Sequence, residues 1–373
     1  MRRAVTLALV VVLLFTAGCS VREEEGPEGA DPAVTPTQPA ATQTPGPAAA
    51  APTETPEPEP TEEPEPAYRS PFNGAGMEKP YSGRPFMVMI NNIQAALPHR
   101  GVEQADILYE VLAEGGVTRM MAVFSDVEAV GEIGPVRSIR PYFIDLGLAY
   151  NSVIIHAGGS TEAYNRLYGG GIAYIDGLIN YKLAKAFYRD QQRQWDGYAV
   201  EHTLFTTGEN LYKVASDEKN YSLELDEGYE TGLHFVKDGT PEDGESAEKI
   251  KISFGYKTTE ANYDKDKGVY TLKQFGKNYV DETTGTQPEF TNILTIRAAT
   301  YTIDSYGRLS ITLNGTGSGW YACGGKCVPI TWERESGRAP FHYYLEDGTE
   351  LSVGAGSSYI AIIPNTSGSF EAE

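Results

Sequence analysis

Arg137, Ser138 and Arg140 stand within four residues of one another in the run Gly134-Pro-Val-Arg-Ser-Ile-Arg-Pro141. Two guanidiniums and a hydroxyl ahead of a proline that opens a helix bring together positive charge, donors and unpaired backbone N–H groups. That is the chemistry that holds a phosphate, a pyrophosphate or a carboxylate. Glu110, Glu114 and Arg119 flank the Gly115-Gly116 turn just upstream, His156 ends an apolar run before Gly158-Gly159-Ser160, and Arg189 and His202 follow. The candidate ligand-binding set is therefore Arg119, Arg137, Ser138, Arg140, His156, Ser160, Arg189 and His202, with Glu110 and His156 as candidate proton-transfer groups. Each has a plainer role open to it. The arginines could pair with Asp145 or Glu110, His156 could be a satisfied buried histidine, and Ser160 could cap a helix. Ser-His-Asp catalysis cannot be argued, because nothing places a nucleophile within reach of a base.

Cys323 and Cys327 flank Gly324-Gly-Lys326, which reads as a three-residue hairpin loop with the two thiols opposite one another on neighbouring strands. A disulfide clamping that loop is expected, since paired cysteines outside the cell tend to oxidise. A metal would need further ligands and no His or Cys lies close in sequence, so neither metal nor cofactor is expected. CxxC, HExxH, a phosphate-cradling glycine loop and a Gly-x-Ser-x-Gly elbow are all absent.

The elements that must position these residues fall into two textures. Apolar runs at 85–91, 106–112, 119–124 and 152–156 read as strands, helical spacing is seen at 141–150, and further helices are expected at 161–168, with Glu162 in its first turn, and at about 208–216. Thr206-Thr-Gly-Glu209 forms a capping-box pattern at the start of the last helix. Strands alternating with helices predict a layered α/β domain over about 84–220. Beyond it, short strands at 249–256, 268–275, 290–298, 309–314, 319–322, 328–334, 341–345 and 359–364 predict a sandwich or barrel. The fold class is thus α+β, an α/β part followed by an all-β part.

The N-terminus carries an address. Arg2 and Arg3 precede an uncharged apolar run at 4–15, too short to span a bilayer and typical of a signal peptide. Phe15-Thr-Ala-Gly-Cys19-Ser20 resembles the lipobox of bacterial lipoproteins. That resemblance makes Cys19 the lipidation site, bearing a thioether-linked diacylglycerol and an added acyl chain such as palmitate, enough for stable anchoring. Residues 20–67 hold eleven acids, one Arg and 12 of the 23 prolines, so they cannot bury enough surface to fold and predict an extended tether. With 51 acids against 30 bases, the net charge of −21 argues against nucleic acid as a partner. The expected organisation is signal peptide 1–18, tether 19–67, α/β domain 68–236, linker 237–248, β domain 249–366 and tail 367–373.

Several motifs in order make the chain similar to a known family. Ala105-Asp-Ile-Leu-Tyr-Glu110, Glu114-Gly-Gly-Val-Thr-Arg119, the 134–145 run, His156-Ala-Gly-Gly-Ser160, Trp332, Asp347-Gly348 and 359–364 resemble the YerB-like lipoproteins, which carry the DUF3048 domain. The resemblance covers about 84–364 and implies a lipid anchor and N- and C-terminal parts, with no activity assigned. Where the family has His-Asn-Leu-Tyr-Thr, this chain has His202-Thr-Leu-Phe-Thr206, and the Cys323/Cys327 pair is extra to the family. The reading that follows is a protein lipid-anchored to the outer face of the cytoplasmic membrane. It would bind an anionic, phosphate-containing or acidic envelope ligand, or an envelope protein partner, through the Arg/His/Glu set, without catalysis. The alternatives are a transferase or hydrolase acting on cell-wall polymer or its pyrophosphate-linked lipid through the same pocket, and an assembly factor.

Overall fold

The computed structural model describes residues 65–217 and 221–373. The signal peptide, Cys19 and nearly all of the expected tether lie outside the described residues. The strands that matter for the site are β1 (Phe86–Asn92), β2 (Ile107–Leu112), β3 (Thr118–Phe124), β4 (Val153–His156), β5 (Tyr174–Asp176), β6 (Glu245–Ser246), β7 (Lys249–Ser253), β8 (Thr258–Asp264), β9 (Val269–Gln274), β10 (Asn292–Thr302), β11 (Gly315–Cys323), β12 (Lys326–Arg334), β13 (Ser358–Pro364) and β14 (Ser369–Ala372). The helices are α1 (Pro141–Ala149), α2 (Thr161–Tyr168), α3 (Tyr181–Ala184), α4 (Gln191–Trp195) and α5 (Gly208–Asp217). Mixed α/β structure in the first half and strands in the second agree with the α+β expectation.

One sheet runs through both halves in the order β6-β12-β11-β10-β13-β2-β3-β1-β4-β5. The junction is parallel pairing of β13 with β2, Ser358 opposite Ile107 through Ile362 opposite Val111, with β10 parallel on the far side of β13. β13 is buried along its whole length, as a central strand of near-continuous apolar sequence must be. A second sheet, built on β9-β8-β7-β14, packs across one face. Two segments expected to lie outside the β region are strands, one in each sheet. β6, in the expected linker, pairs with β12, and β14, in the expected tail, pairs with β7.

Alternation along the central strands divides the core into two layers. Met89, Tyr109, Val111, Met121 and Ile154 face α1 and α2, meeting Phe143, Ile144, Ala163 and Leu167. Val88, Ile90, Leu108, Met120 and Ile155 face the second sheet and α5, meeting Ile250, Ile252, Leu272, Leu211 and Val214. Each such side chain, fully buried, contributes about 1.5–3 kcal/mol. α1 is apolar on nearly every side because it is covered on nearly every side, and Gly147 lets it close on β4. A Cβ there would lie 2.5 Å from Ile154 Cδ1. Ser160 Oγ accepts from Ala163 N–H at 3.2 Å and Thr207 Oγ1 from Asn210 N–H at 3.2 Å, capping α2 and α5.

The expected disulfide is not formed: Cys323 and Cys327 are free thiols. The loop between them is the two residues Gly324-Gly325, with φ of 61° and 76°, the positive values that a tight two-residue hairpin turn needs. Cys323 therefore sits opposite Lys326, and Cys327 opposite Ala322. The one-residue difference from a three-residue loop sends the two thiols to opposite faces of the sheet, Cys323 into one core layer and Cys327 into the other. Among the described residues no helix is long and apolar enough to cross a membrane.

Candidate functional site

The parallel strands β1, β2, β4 and β5 end on the same edge of the sheet, the edge at which open α/β sheets place ligands. β3 runs the other way, so its second residue, Arg119, lies opposite Asn91 at that edge. The 134–140 segment is sewn across it by backbone hydrogen bonds. Asn91 N–H donates to Pro135 C=O (2.9 Å), Arg137 N–H to Met89 C=O (2.9 Å), Ala157 N–H to Arg137 C=O (3.0 Å) and Ile139 N–H to Gly158 C=O (3.0 Å). Ser138 Oγ donates to Ala157 C=O at 3.1 Å. In this way two loops far apart in sequence deliver Arg137, Ser138 and Arg140 to the strand ends.

Four arginines gather there around two carboxylates, and they are not equivalent. Arg140 Nε donates to Glu114 Oε1, and Arg119 Nη2 lies 3.6 Å from Glu114 Oε2. Arg119 also donates to Ser138 C=O at 2.9 Å, and Arg140 to Ile139 C=O at 2.7 Å. These two cations are committed to holding the loop. Burial opposes ionisation of Glu114, but Arg140 and Arg119 outweigh it and hold the carboxyl below its ordinary range. Burial, then the neighbouring Arg140, brings Arg119 down to about 10, where it is still cationic at neutral pH.

Arg137 and Arg189 are held more loosely. The nearest carboxylate oxygen to Arg137 is Glu201 Oε1 at 4.0 Å, and the Arg137 side chain is 31% exposed. Arg189 donates to Val200 C=O and makes no ion pair among the described residues. Partial burial lowers both guanidiniums, and each is lowered further by a neighbouring arginine, Arg189 by Arg137 and Arg137 by Arg140. Glu201 opposes the shift on both, so a single carboxylate, 4.0 Å from Arg137, is shared by two guanidiniums and positive charge is left in excess. His202 adjoins them. Its Nδ1 meets the Asn91 amide Nδ2 at 2.9 Å, and since that amide can only donate, the ring proton sits on Nε2. Burial pushes the His202 pKa down, with Arg137 and Arg193 adding to the effect against Glu201.

Other expected site residues are elsewhere. Glu110 lies on the opposite face of the sheet from Arg119, among the side chains that pack against the second sheet. There it accepts from Asn92 Nδ2 (3.1 Å), Thr118 Oγ1 (2.6 Å), Thr259 Oγ1 (2.9 Å), Gln274 Nε2 (2.9 Å) and Tyr359 OH (2.7 Å), and pairs with Lys257 Nζ. Burial opposes the charge, but Lys257 and the hydrogen bonds hold Glu110 below the ordinary carboxylate range. It is a fully buried structural ion pair and cannot reach a ligand at the arginines. His156 is on the same face as Arg119 but fully buried beneath α2, stacked on Tyr174 at 5.8 Å with Nδ1 3.0 Å from Gly158 C=O. Burial lowers its pKa, so the ring is neutral. Ser160 spends its hydroxyl on the α2 cap, as its plainer reading has it.

Asp145 pairs with Arg166 at 2.6 Å and not with the candidate arginines. A shallow cavity of about 410 Å³ adjoins the cluster, lined by Glu114, Arg140, Gly159, Ser160, Tyr306 and Arg308 among others. Sequence reasoning missed Lys257, Glu201 and Asn91. Alternation in Asp106–Leu112 does put Glu110 with Leu108 and Leu112, a face that proves to be core; nothing local announces Lys257, since its partner is 147 residues away. Among the described residues no three His, Cys, Asp or Glu side chains are grouped so as to hold a metal ion.

The sequence and fold have counterparts. The chain is 30% identical over 302 residues to the protein of Bacillus subtilis (strain 168) named "Putative lipoprotein YerB", covering 80% of this chain and 86% of the relative. The crystal structure of the YerB protein from Bacillus subtilis superposes with a TM-score of 0.69 at 28% identity, over 82% of this chain and 99% of that one. Residues 73–222 match the N-terminal domain, and 250–360 the C-terminal domain, of the family described as protein of unknown function (DUF3048). Together these matches place the chain in the DUF3048 family.

Proposed function

We propose that this is a lipid-anchored envelope protein whose folded body binds a phosphate-bearing anionic ligand at Arg137, Arg189 and His202. The lipobox at Cys19 and the relative's name as a lipoprotein support the anchor. The observation that carries the ligand is the uneven pairing of the arginines: Arg119 and Arg140 are bound to Glu114, whereas Arg137 and Arg189 have no carboxylate closer than 4.0 Å among the described residues. In a chain of net charge −21, two adjacent guanidiniums that share only the loosely held Glu201, beside a neutral histidine with its proton on Nε2, match the donor set of a phosphate site. Binding is favoured over turnover by placement. Glu110 is sealed on the other face of the sheet and His156 lies beneath α2, so neither expected proton-transfer group meets an anion held by Arg137.

The test is calorimetric titration with inorganic pyrophosphate and with phosphate-containing wall-polymer fragments. Binding is expected to weaken at least tenfold in Arg137→Ala/Arg189→Ala, since each charge-assisted bond contributes about 1.5–3 kcal/mol. It should also weaken with added salt. An unchanged affinity in the double variant would remove the site.

A further inference from the structure

Two segments that adjoin the arginine pair carry apolar side chains that the fold leaves outside. The first, the turn after β5, carries Leu178 and Ile179, 55% and 57% exposed. Leu178 reaches the cluster: a Cβ on Gly158 would lie 3.4 Å from Leu178 Cδ1 and 3.1 Å from Ser138 Oγ, next door to Arg137. The second is the excursion between Asp190 and Thr203, whose ends are joined by a 2.7 Å backbone hydrogen bond. It carries Trp195 and Val200, 77% and 63% exposed, and the Val200 carbonyl is the group that Arg189 grips. Exposed Lys182 lies on α3, which immediately follows the Leu178–Ile179 turn, and exposed Lys185 just after it, 3.8 Å from Asp217 Oδ2.

We propose that this face seats on an anionic bilayer surface, Arg137 and Arg189 taking lipid phosphates while Leu178, Ile179, Trp195 and Val200 enter the headgroup region. The inference rests on the anion-binding reading of the same arginines and names its ligand. Charge complementarity singles out the occupant. A basic centre on an otherwise strongly acidic chain is drawn to an anionic lipid surface. The rim composition agrees, because a tryptophan and aliphatic side chains around cations is the arrangement of interfacial anchors, apolar body in the acyl boundary and charge at the phosphates. Protein interfaces also use tryptophan and arginine, so a protein partner is the competing occupant.

Residues 63–373, one compact unit by its own contacts and containing both core layers, serve as the test molecule without the lipid. The protein is sedimented with phosphatidylcholine vesicles, with mixed phosphatidylcholine–phosphatidylglycerol vesicles, and titrated separately with pyrophosphate. Sedimentation is expected with the mixed vesicles only, accompanied by a blue shift of fluorescence that vanishes in Trp195→Phe. Leu178→Ser/Ile179→Ser should lower vesicle affinity about tenfold while leaving pyrophosphate affinity unchanged. Pyrophosphate binding without vesicle binding overturns membrane docking, hands the apolar rim to a protein partner and leaves the anion site standing. Vesicle binding indifferent to the Leu178/Ile179 variant also overturns it. Binding to neither probe removes the anion site itself. The substituted positions are exposed, so unchanged thermal melting separates these outcomes from misfolding.

Discussion

Arg137 and Arg140 are three residues apart and carry the same charge, yet one lies 4.0 Å from its nearest carboxylate oxygen and the other is in direct contact with Glu114. That difference predicts opposite consequences of truncation. Arg137→Ala should change stability by less than about 1 kcal/mol, because a loose, partly exposed pair contributes little. Arg119→Ala should cost more, about 1–3 kcal/mol, because it leaves the Ser138 carbonyl and Glu114 short of a donor in a buried setting. Urea unfolding of the two variants separates them, and equal losses would contradict the distinction between structural and ligand-facing arginines. Histidines give a second residue-scale prediction. His99 is fully buried, bonded to Tyr279 OH and to Asn91 C=O, and burial pushes its pKa down from 6.5 to about 3. Between those values the unfolded chain takes up a proton that the folded chain refuses. Stability is therefore full above pH 6.5 and falls as the pH drops below it, by about 1.4 kcal/mol per pH unit for this group. His99→Gln should flatten that acid limb by the same slope, whatever it does to stability at neutral pH, and an unaltered slope would exclude His99 as its source.

Between elements, the buried Glu110–Lys257 pair ties β2 of the central sheet to the loop entering β8 of the second sheet. The surrounding Asn92, Thr118, Thr259, Gln274 and Tyr359 saturate the carboxylate, so it is tolerated at zero exposure. Lys257→Met, which leaves that charge uncompensated, should cost about 3–5 kcal/mol, whereas Glu110→Gln/Lys257→Met should cost less than the sum of the single changes. A double-mutant cycle in chemical denaturation measures the difference, and strict additivity would mean that the pair is not coupled. The hairpin joining β11 to β12 gives an element-scale prediction of another kind. Because Gly324-Gly325 turns the chain in two residues, the thiols of Cys323 and Cys327 point to opposite faces. Residues 63–373 denatured without reductant should titrate as two free thiols, and reductant should leave the melting temperature unchanged. The sequence shows that a hairpin is there, since glycines punctuate it plainly. Whether Lys326 belongs to loop or strand depends on its pairing with Cys323 and with Ser246 of β6, and on the Thr240 and Tyr263 side chains packed over the two glycines, which no local pattern reveals.

For the molecule as a whole, the legible features were local and the hidden ones were pairings across long separations. Most of the strands and the three longer helices, α1, α2 and α5, are read from local pattern and capping signals, whereas the meeting of Arg119, Arg137, Arg140, Arg189 and His202 at one sheet edge rests on strand pairings and loop hydrogen bonds that no local pattern shows. What periodicity cannot reveal is that 359–364, recognisable as a strand, pairs with 107–111 at the other end of the folded chain. A change of texture near residue 240 marks where helices stop, while the sheet continues across it. This has a thermodynamic consequence. Removing the C-terminal half would strip β13 from β2, exposing an edge of unpaired backbone and the apolar side chains of Ile107, Tyr109 and Val111 that now pack with it. Residues 65–248 alone should therefore show no cooperative melting. Residues 63–373 should melt in one calorimetric transition whose van't Hoff and calorimetric enthalpies agree, although chains of this length commonly unfold in stages. Two separable transitions, or a cooperatively folded 65–248 fragment, would mean that the shared sheet does not couple the halves. The junction of β2 and β13 would then act as an interface between independent domains, and the arginine edge, built entirely from residues before 203, would be expected to bind its ligand without the second half.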